Sequence, residues 1–296
     1  MELYNGERPS VFRLLGKYMR KGLYGILTQG PIPTHLAFIL DGNRRFAKKH
    51  KLPEGGGHKA GFLALLNVLT YCYELGVKYA TIYAFSIDNF RRKPHEVQYV
   101  MDLMLEKIEG MIMEESIINA YDICVRFVGN LKLLSEPVKT AADQSMRATA
   151  NNSRFVLLIA VAYSSTDEIV HAVEESSKDK LNSNEVCNNG IEAEQEFKEA
   201  NGTGNSVIPV QKTESYSGIK LVDLEKNTYI NPYPDVLIRT SGETRLSNYL
   251  LWQTTNCILY SPYALWPEIG LRHVVWSVIN FQRHYSYLEK HKEYLK

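Results

Sequence analysis

The sequence predicts an α/β fold, a single domain built on a mainly parallel central sheet with helices on its faces. Short runs that are almost wholly apolar, such as His35–Leu40 and Phe155–Ala162, indicate strands covered on both sides. Stretches with helical periodicity alternate with them, which is typical of strand–helix–strand units. Polar clusters directly follow several of the strands. Ligands bind at the carboxyl ends of parallel strands, so the sequence predicts a site at that edge.

The length, net charge and cysteine content of the chain exclude several classes of protein. The 296 residues allow one large domain or two small ones. A net charge of +1 argues against a general nucleic-acid binder, so no nucleic-acid partner is expected. The four cysteines form no C-x-x-C pair, and no disulfide or zinc framework follows from them. No apolar run of membrane-spanning length and no cleavable signal peptide is visible.

Residues 1–30 form a predicted N-terminal amphipathic segment, separate from a catalytic domain over 31–296. Apolar residues between Phe12 and Leu27 recur with roughly helical spacing beside a cationic edge. Helices with this pattern lie on membrane surfaces, and an ordinary helix docked on the body of the protein is an equally good interpretation. Pro31 and Pro33 end the segment.

The first polar cluster follows the strand that begins at His35. It consists of Asp41, Gly42, Asn43, Arg44 and Arg45. Gly and Asn tolerate positive φ, so a tight turn is expected before the next helix, and arginines there can bind an anion. An acid among phosphate-binding donors suggests a Mg²⁺ bridge between carboxylate and phosphate oxygens. The alternative is that Asp41 caps the helix and the arginines are merely solvated.

The remaining elements follow in order. We predict further strands over 77–85, 122–128, 155–162, 235–238 and 257–260. We predict helices ending near 75 and over 96–116, 135–150, 167–177 and 271–287. Residues from about 177 to 217 are polar with few apolar side chains, so this segment is predicted to be a poorly ordered insertion.

Two more strand ends carry polar clusters. Ser86, Asp88, Asn89 and Arg92 follow the second strand, and His58 comes one loop after the first cluster. The fifth strand is followed by Arg239, Glu243, Arg245 and Ser247. Together the clusters contain five arginines and two or three acids, and they contain no nucleophile–base pair. The arginines suit two bound diphosphates, and the acids suit a divalent metal. The alternative is that these charged residues form ordinary surface salt bridges. This alternative accounts well for a single cluster but less well for three clusters at neighbouring strand ends. No P-loop or dinucleotide fingerprint is present, which disfavours a nucleotide-binding protein.

At these residues the sequence closely resembles the cis-prenyltransferases, a family that includes undecaprenyl and dehydrodolichyl diphosphate synthases. The matching blocks are D-G-N-R-R-F-A-K-K from 41, G-H-K-A-G from 57, Y-A-F-S-I-D-N-F from 83, and D-V-L-I-R-T-S-G-E from 235 with R-L-S-N-Y-L-L-W-Q from 245. The N-terminal block, the polar insertion and the C-terminal tail resemble the rubber-type members of latex-producing plants. The resemblance implies the family's α/β fold with a hydrophobic tunnel, lined here by parts of 62–75, 97–113 and 155–162.

The resemblance also implies roles for individual residues. Asp41 matches the Mg²⁺-binding aspartate, making Mg²⁺ the expected cofactor. Arg239, Arg245 and Ser247 match the site for isopentenyl diphosphate. Ser86 matches the start of a mobile loop at the substrates, and Asn89 lies near the proton to be removed, which a water ordered by Asn89 and His58 could accept. An allylic diphosphate such as farnesyl diphosphate would be held by Gly42, Asn43, Arg44, Arg45, His58 and Arg92.

The activity implied is elongation of a cis-polyprenyl diphosphate, with a natural-rubber or dolichol-type product. A non-catalytic lipid-binding or scaffold subunit of a prenyltransferase complex is the alternative. The sequence departs from self-sufficient members: Glu54 replaces a basic residue, Ile258 replaces an acid, and no R-x-G tripeptide follows Arg283. Because eukaryotic relatives that lack the R-x-G tripeptide pair with a subunit that supplies it, the resemblance implies a Nogo-B receptor-like accessory subunit. A polyprenyl product would leave into lipid rather than water, so we expect a cytoplasmic protein peripherally associated with the endoplasmic reticulum or a rubber-particle surface through its N-terminal segment, its partner or both.

Overall fold

The fold is described from a computed structural model, over residues 11–113, 118, 121–192 and 218–294. Within these residues, those up to Ser165 and from Pro232 onward form one compact unit, and those from Thr166 to Asn231 form another. The first unit contains the central sheet and the candidate site. The predicted boundary between residues 1–30 and 31–296 does not coincide with this division and stays a prediction.

The sheet has six parallel strands in the order β3-β4-β2-β1-β5-β6. They are β1 His35–Ile39, β2 Tyr79–Ser86, β3 Ile123–Val128, β4 Phe155–Tyr163, β5 Val236–Arg239 and β6 Ile258–Tyr260. The apolar runs therefore predicted both the strands and the parallel sheet correctly. β1 lies between β2 and β5, with Ile39 in register with Tyr83 and with Arg239. The three strand ends that carry polar clusters are consequently neighbours.

Helices connect the strands, as the periodic stretches predicted. They are α1 Val11–Leu27, α2 Asn43–Lys49, α3 Gly56–Glu74, α4 Pro94–Met113, α5 Glu136–Ala148, α6 Ser165–Glu192, α7 Leu221–Lys226 and α8 Leu271–Tyr294. Buried side chains from the sheet and from α1, α3, α4, α5 and α8 form one hydrophobic core in the first unit. Trp266 joins this core and fixes α3, because its Nε1 donates a hydrogen bond to the Gly61 carbonyl over 2.8 Å.

Helix α1 combines the two interpretations that its sequence left open. Tyr24 and Leu27 are buried in the core, and Gln282 of α8 donates a hydrogen bond to the Leu27 carbonyl over 2.7 Å. Tyr18 and Ile26 on the same helix are largely exposed, at 70% and 73%. The helix is therefore docked through one face and presents apolar side chains to the surroundings on another.

In the second unit, α6 continues to Glu192 and so reaches into the segment 177–217 that was predicted to be a poorly ordered insertion. Glu and Lys are good helix formers, and Lys178 pairs with Glu175 over 2.7 Å along the helix surface. Lys180 also pairs with Asp223 of α7 over 3.1 Å. The composition argument counted apolar residues and overlooked these polar contacts. The rest of the predicted insertion, residues 193–217, lies outside the described residues.

Within the described ranges, no helix combines the length and the apolar character that crossing a membrane requires.

Candidate active site

The turn after β1 is held by the loop that follows β5. The Thr240 hydroxyl donates to the Asp41 carbonyl over 2.6 Å and accepts from the Asp41 N–H over 3.0 Å. Ser241 Oγ and the Trp266 N–H also donate to that carbonyl, each over 2.9 Å. Gly42 has φ of 110°, the positive value that the sequence predicted for this turn. The backbone thus fixes where the Asp41 side chain points.

The Asp41 carboxylate lies between two arginines from different polar clusters. Its Oδ1 accepts from Arg45 over 3.0 Å and its Oδ2 accepts from Arg239 over 2.9 Å. Partial burial alone would raise the pKa of Asp41, but the hydrogen bonds and charges of Arg239 and Arg45 outweigh it and lower that pKa. Asp41 is therefore an ionised carboxylate at neutral pH, which is the form that binds a divalent cation.

Arg239 is the most buried arginine of the cluster, with 7% of its surface exposed. Its Nη1 donates to Ser247 Oγ over 2.7 Å and to the Arg245 carbonyl. Its Nε is buried and has no hydrogen-bond partner. A buried donor without a partner is costly, so this N–H suits an anionic ligand such as a phosphate group.

Glu243 joins the two arginine-rich loops. Its carboxylate lies 3.6 Å from Nη1 of Arg45 and also forms a close ion pair with Arg245. The sequence places Glu243 in the polar cluster after the fifth strand but does not show which residues it contacts. Only the three-dimensional structure shows that it bridges an arginine after β1 to an arginine after β5.

The cluster after β2 completes the polar end of the site. Ser86 Oγ accepts a hydrogen bond from the Asp88 N–H over 3.2 Å and so starts the short turn Ile87–Arg91. His58 lies across from this turn, and its pKa is lowered by partial burial and by the charges of Arg44 and Arg92. A neutral imidazole at neutral pH can accept a proton or orient a water molecule.

Asn43 and Gly61 are in unusually close contact. A Cβ atom at Gly61 would lie 2.2 Å from Asn43 Oδ1 and 2.9 Å from the Trp266 ring, so a larger residue there would force these neighbours to move. Asn43 Oδ1 is buried without a hydrogen-bond partner, while its Nδ2 donates to the Leu40 carbonyl over 3.3 Å. The G-H-K-A-G block is therefore explained in part by packing, because Gly61 lets α3 approach the turn after β1.

All of these polar groups line one cavity of about 960 Å³. Every predicted site residue lines it: Asp41, Gly42, Asn43, Arg44, Arg45, His58, Ser86, Asn89, Arg92, Arg239, Arg245 and Ser247. The rest of the lining is mainly apolar and comes from α3, α4 and the strands, including Leu65, Leu69, Val100, Met104, Leu157 and Ile159. The structure thus brings the predicted residues together, and their individual roles stay predictions. Phe127 of β3 also lines the cavity, outside the stretches predicted for the tunnel.

The donor set fits one mode of magnesium binding. Within the described residues, no group of three or more His, Cys, Asp or Glu side chains could hold a metal ion. Mg²⁺ sites commonly use one or two carboxylates together with substrate phosphates and water. Asp41, which lines the cavity together with Arg239, would be the protein's carboxylate in such a site.

Comparisons with known proteins agree with this geometry. A family model described as putative undecaprenyl diphosphate synthase matches residues 39–288. The chain is 85% identical over 296 residues to the rubber cis-polyprenyltransferase HRT2 of Hevea brasiliensis, covering 100% of both chains. It is 36% identical to the human dehydrodolichyl diphosphate synthase complex subunit DHDDS, over 90% of this chain and 72% of the human one.

Among solved structures, lavandulyl diphosphate synthase from Lavandula x intermedia has the same fold. It aligns with a TM-score of 0.69 at 23% identity, covering 85% of this chain and 95% of the other. At that identity the similarity supports the fold alone. The sequence-based resemblance to cis-prenyltransferases is confirmed by the family model and by the close relatives.

Proposed function

The chain belongs to the undecaprenyl diphosphate synthase family of prenyltransferases and elongates cis-prenyl chains, and from this premise we propose how its residues divide the reaction. The observation that carries the proposal is the position of Asp41 between Arg45 and Arg239, at the polar end of a cavity whose other end is apolar. Such a cavity matches a substrate with a diphosphate head and a prenyl tail.

One half of the polar end holds the allylic diphosphate. Arg44 and Arg45 follow β1, and Arg92 follows the turn after β2, so three cations from neighbouring strand ends line the cavity. Gly42 and Asn43 shape the turn that carries the two adjacent arginines. The prenyl tail then extends along the leucines and other apolar side chains that α3 and α4 contribute.

The other half holds isopentenyl diphosphate. Arg239, Arg245 and Ser247 all follow β5 and form one connected group through the hydrogen bonds of Arg239. The unpartnered Nε of Arg239 supports this assignment, because a phosphate oxygen would satisfy it. Glu243 lies between the two halves and pairs with an arginine from each, Arg45 and Arg245.

Asp41 would hold Mg²⁺ together with diphosphate oxygens. When bound, the ion neutralises the negative charge that develops on a departing diphosphate. Because Arg45 and Arg239 occupy both carboxylate oxygens of Asp41, binding of the diphosphates would draw these arginines away and free the carboxylate. Ile258, where bacterial members carry an acid, offers no further carboxylate.

During elongation the arginines of the allylic half stabilise the diphosphate as its bond to the allylic carbon breaks. The double bond of isopentenyl diphosphate then attacks that carbon, and a proton leaves the new unit. Neutral His58 and the amide of Asn89 line the cavity near both substrates and can order a water that accepts the proton. Ser86 positions the loop that carries Asn89 through its bond to Asp88.

The partner and the cellular location of the enzyme are inferred from its product and its relatives. The human relative is named a complex subunit, which supports an accessory subunit for this chain, and we propose that this subunit is of the Nogo-B receptor type. A polyprenyl chain cannot leave into water, and the exposed Tyr18, Met19 and Ile26 of α1 provide apolar contacts for a lipid surface. We therefore place the enzyme in the cytoplasm, attached to the endoplasmic reticulum or to a rubber particle.

The test is product analysis with labelled isopentenyl diphosphate and farnesyl diphosphate, with and without Mg²⁺. Labelled cis-polyprenyl products that require Mg²⁺ would support the proposal, and their chromatographic size would separate rubber-type from dolichol-type chains. Elongation that is unchanged after complete removal of divalent metal would contradict the role given to Asp41.

A further inference from the structure

Lys107 is the charged side chain that α4 contributes to the lining of the cavity. The other lining residues of this helix, among those that the structure describes, are Val100, Leu103, Met104 and Ile108. A cation among apolar residues that face a prenyl tail calls for an explanation, because burying a charge against hydrocarbon is unfavourable.

The Lys107 ammonium is placed over an aromatic ring of the neighbouring helix. Its Nζ lies 5.1 Å from the ring centroid of Phe62 in α3, within the range of a cation–π contact. Phe62 also lines the cavity. The two side chains, which we call the Lys107–Phe62 bridge, therefore connect α3 and α4 beside the apolar part of the cavity.

The ammonium has a second contact at the protein surface. Nζ lies 2.7 Å from Oε1 of Glu106, and the Lys107 side chain is 29% exposed while that of Glu106 is 62% exposed. The aliphatic stem of Lys107 thus lines the cavity while its charged end lies toward solvent. Such a lysine remains hydrated only as long as no apolar group covers it.

The bridge stands close to the polar end of the cavity. Phe62 comes one helical turn after His58, which corresponds to about 6 Å along α3. A C5 unit has four chain bonds of about 1.5 Å each and so spans roughly 5 Å. Leu66 and Leu69, further along α3, continue the lining beyond the bridge, and Leu66 is 38% exposed. If the diphosphate is held at the polar end, the first C5 unit of a tail would end near the bridge, and longer tails would pass it.

We propose that Lys107 is a specificity-determining residue that sets the preference among allylic primers of different tail length. A tail of one C5 unit leaves the hydration of the ammonium intact. A farnesyl tail crosses the bridge, displaces water from the ammonium and gains contacts with Leu66 and Leu69. This inference rests on the proposed role of the cavity in holding the prenyl tail.

The experiment compares the binding of two non-cleavable analogues, dimethylallyl and farnesyl S-thiolodiphosphate, to the purified full chain by calorimetry. Lys107→Met removes the charge and keeps the length of the side chain. It should increase the ratio of farnesyl to dimethylallyl affinity by roughly three- to tenfold, because no cation has to be dehydrated. Lys107→Arg retains a cation over Phe62 and should keep the wild-type ratio.

Glu106→Gln is the matched control, since it removes the surface ion pair and leaves the ammonium over Phe62. Its affinity ratio should match the wild type within twofold. An unchanged ratio in Lys107→Met, or an equal change in Glu106→Gln, would overturn the inference. If both analogues bind with the same affinity to the wild type, the cavity does not hold the tail, and the underlying proposal is wrong as well.

Discussion

Arg239 donates a hydrogen bond from Nη2 to Oδ2 of Asp41 over 2.9 Å, between residues that are 198 positions apart in the sequence. The contact exists because β1 and β5 are parallel neighbours, with Ile39 in register with Arg239. Two motifs that look independent in the sequence thus form one site. The carboxylate and the guanidinium hold each other in place at the polar end of the cavity.

Asp41→Asn should lower the rate of elongation by roughly a hundred- to a thousandfold while preserving the fold, because it removes the charge that binds Mg²⁺ and keeps the side-chain shape. The measurement is incorporation of labelled isopentenyl diphosphate at saturating Mg²⁺, with the melting temperature recorded in parallel. Asp102→Asn, on the exposed face of α4, is the matched control and should retain full activity. If Asp41→Asn turned over at the normal rate, the assignment of Asp41 as the metal-binding residue would be wrong.

Arg245→Ala and Arg44→Ala should separate the two diphosphate sites. Loss of a charge-assisted hydrogen bond typically costs about 1.5–3 kcal/mol, which corresponds to roughly a ten- to hundredfold rise in KM. We expect the KM for isopentenyl diphosphate to rise in Arg245→Ala and the KM for the allylic substrate to rise in Arg44→Ala. Arg91→Ala, an exposed arginine of the adjacent turn, serves as the control. If both variants weaken the same substrate, the division into two sites is wrong.

His58 should titrate below the ordinary histidine value of 6.5, because partial burial and the charges of Arg44 and Arg92 lower its pKa. The imidazole signals can be followed by NMR as a function of pH, with His58→Gln used to assign the signal of His58. Added inorganic diphosphate should raise the pKa of His58 by offsetting the two arginines. A titration above 6.5 in the free protein would contradict the neutral role given to this residue.

The lowered pKa of His58 also affects how the stability of the protein depends on pH. The folded state binds the His58 proton less readily than the unfolded state, so the free energy of unfolding should fall as the pH drops below about 6.5. His58→Gln should remove this part of the acid dependence, which chemical denaturation at several pH values would measure. If the free energy of unfolding of His58→Gln fell equally at acid pH, the loss of stability would come from other groups.

Gly61→Ala should destabilise the protein and impair the allylic site together. The added Cβ would lie 2.2 Å from Asn43 Oδ1 and 2.9 Å from the Trp266 ring, so the turn after β1 or α3 must move. Gly110→Ala is a matched control in α4, where a Cβ meets nothing within 4 Å, and alanine should stabilise that helix slightly. Thermal unfolding measures the melting temperatures of both variants. Equal melting temperatures for Gly61→Ala and Gly110→Ala would show that the Asn43–Gly61 contact is easily relaxed.

The sequence predicted the six strands because each is a short apolar run, a pattern that a sheet covered on both faces requires. It placed the site residues on the correct strand ends, and parallel neighbours bring such ends together. It did not identify Glu243 as the bridge between Arg45 and Arg245, since that depends on the distance between two loops. The continuation of α6 to Glu192 was missed because polar pairs, rather than apolar periodicity, accompany it.

The proposed accessory subunit leads to a prediction about where activity is found. Each added C5 unit carries roughly 4 kcal/mol of hydrophobic transfer free energy, at about 0.8 kcal/mol per CH₂ group. Release of a long product into water would therefore stall elongation, whereas a lipid surface accepts the chain. We expect weak incorporation of labelled isopentenyl diphosphate by the purified chain and strong incorporation when it is co-expressed with a Nogo-B receptor-like subunit on membranes.

Two comparisons make this experiment decisive. Asp41→Asn, co-expressed with the same subunit, should eliminate the gain, which would show that the active site belongs to this chain rather than to the host. Replacing the exposed Tyr18 and Ile26 of α1 by serine tests attachment separately, because neither side chain lines the cavity. That variant should shift from the membrane fraction to the supernatant only if the subunit is absent. Full activity of the lone chain in detergent-free buffer would refute the need for a partner, since the polyprenyl product would then be released without a lipid phase.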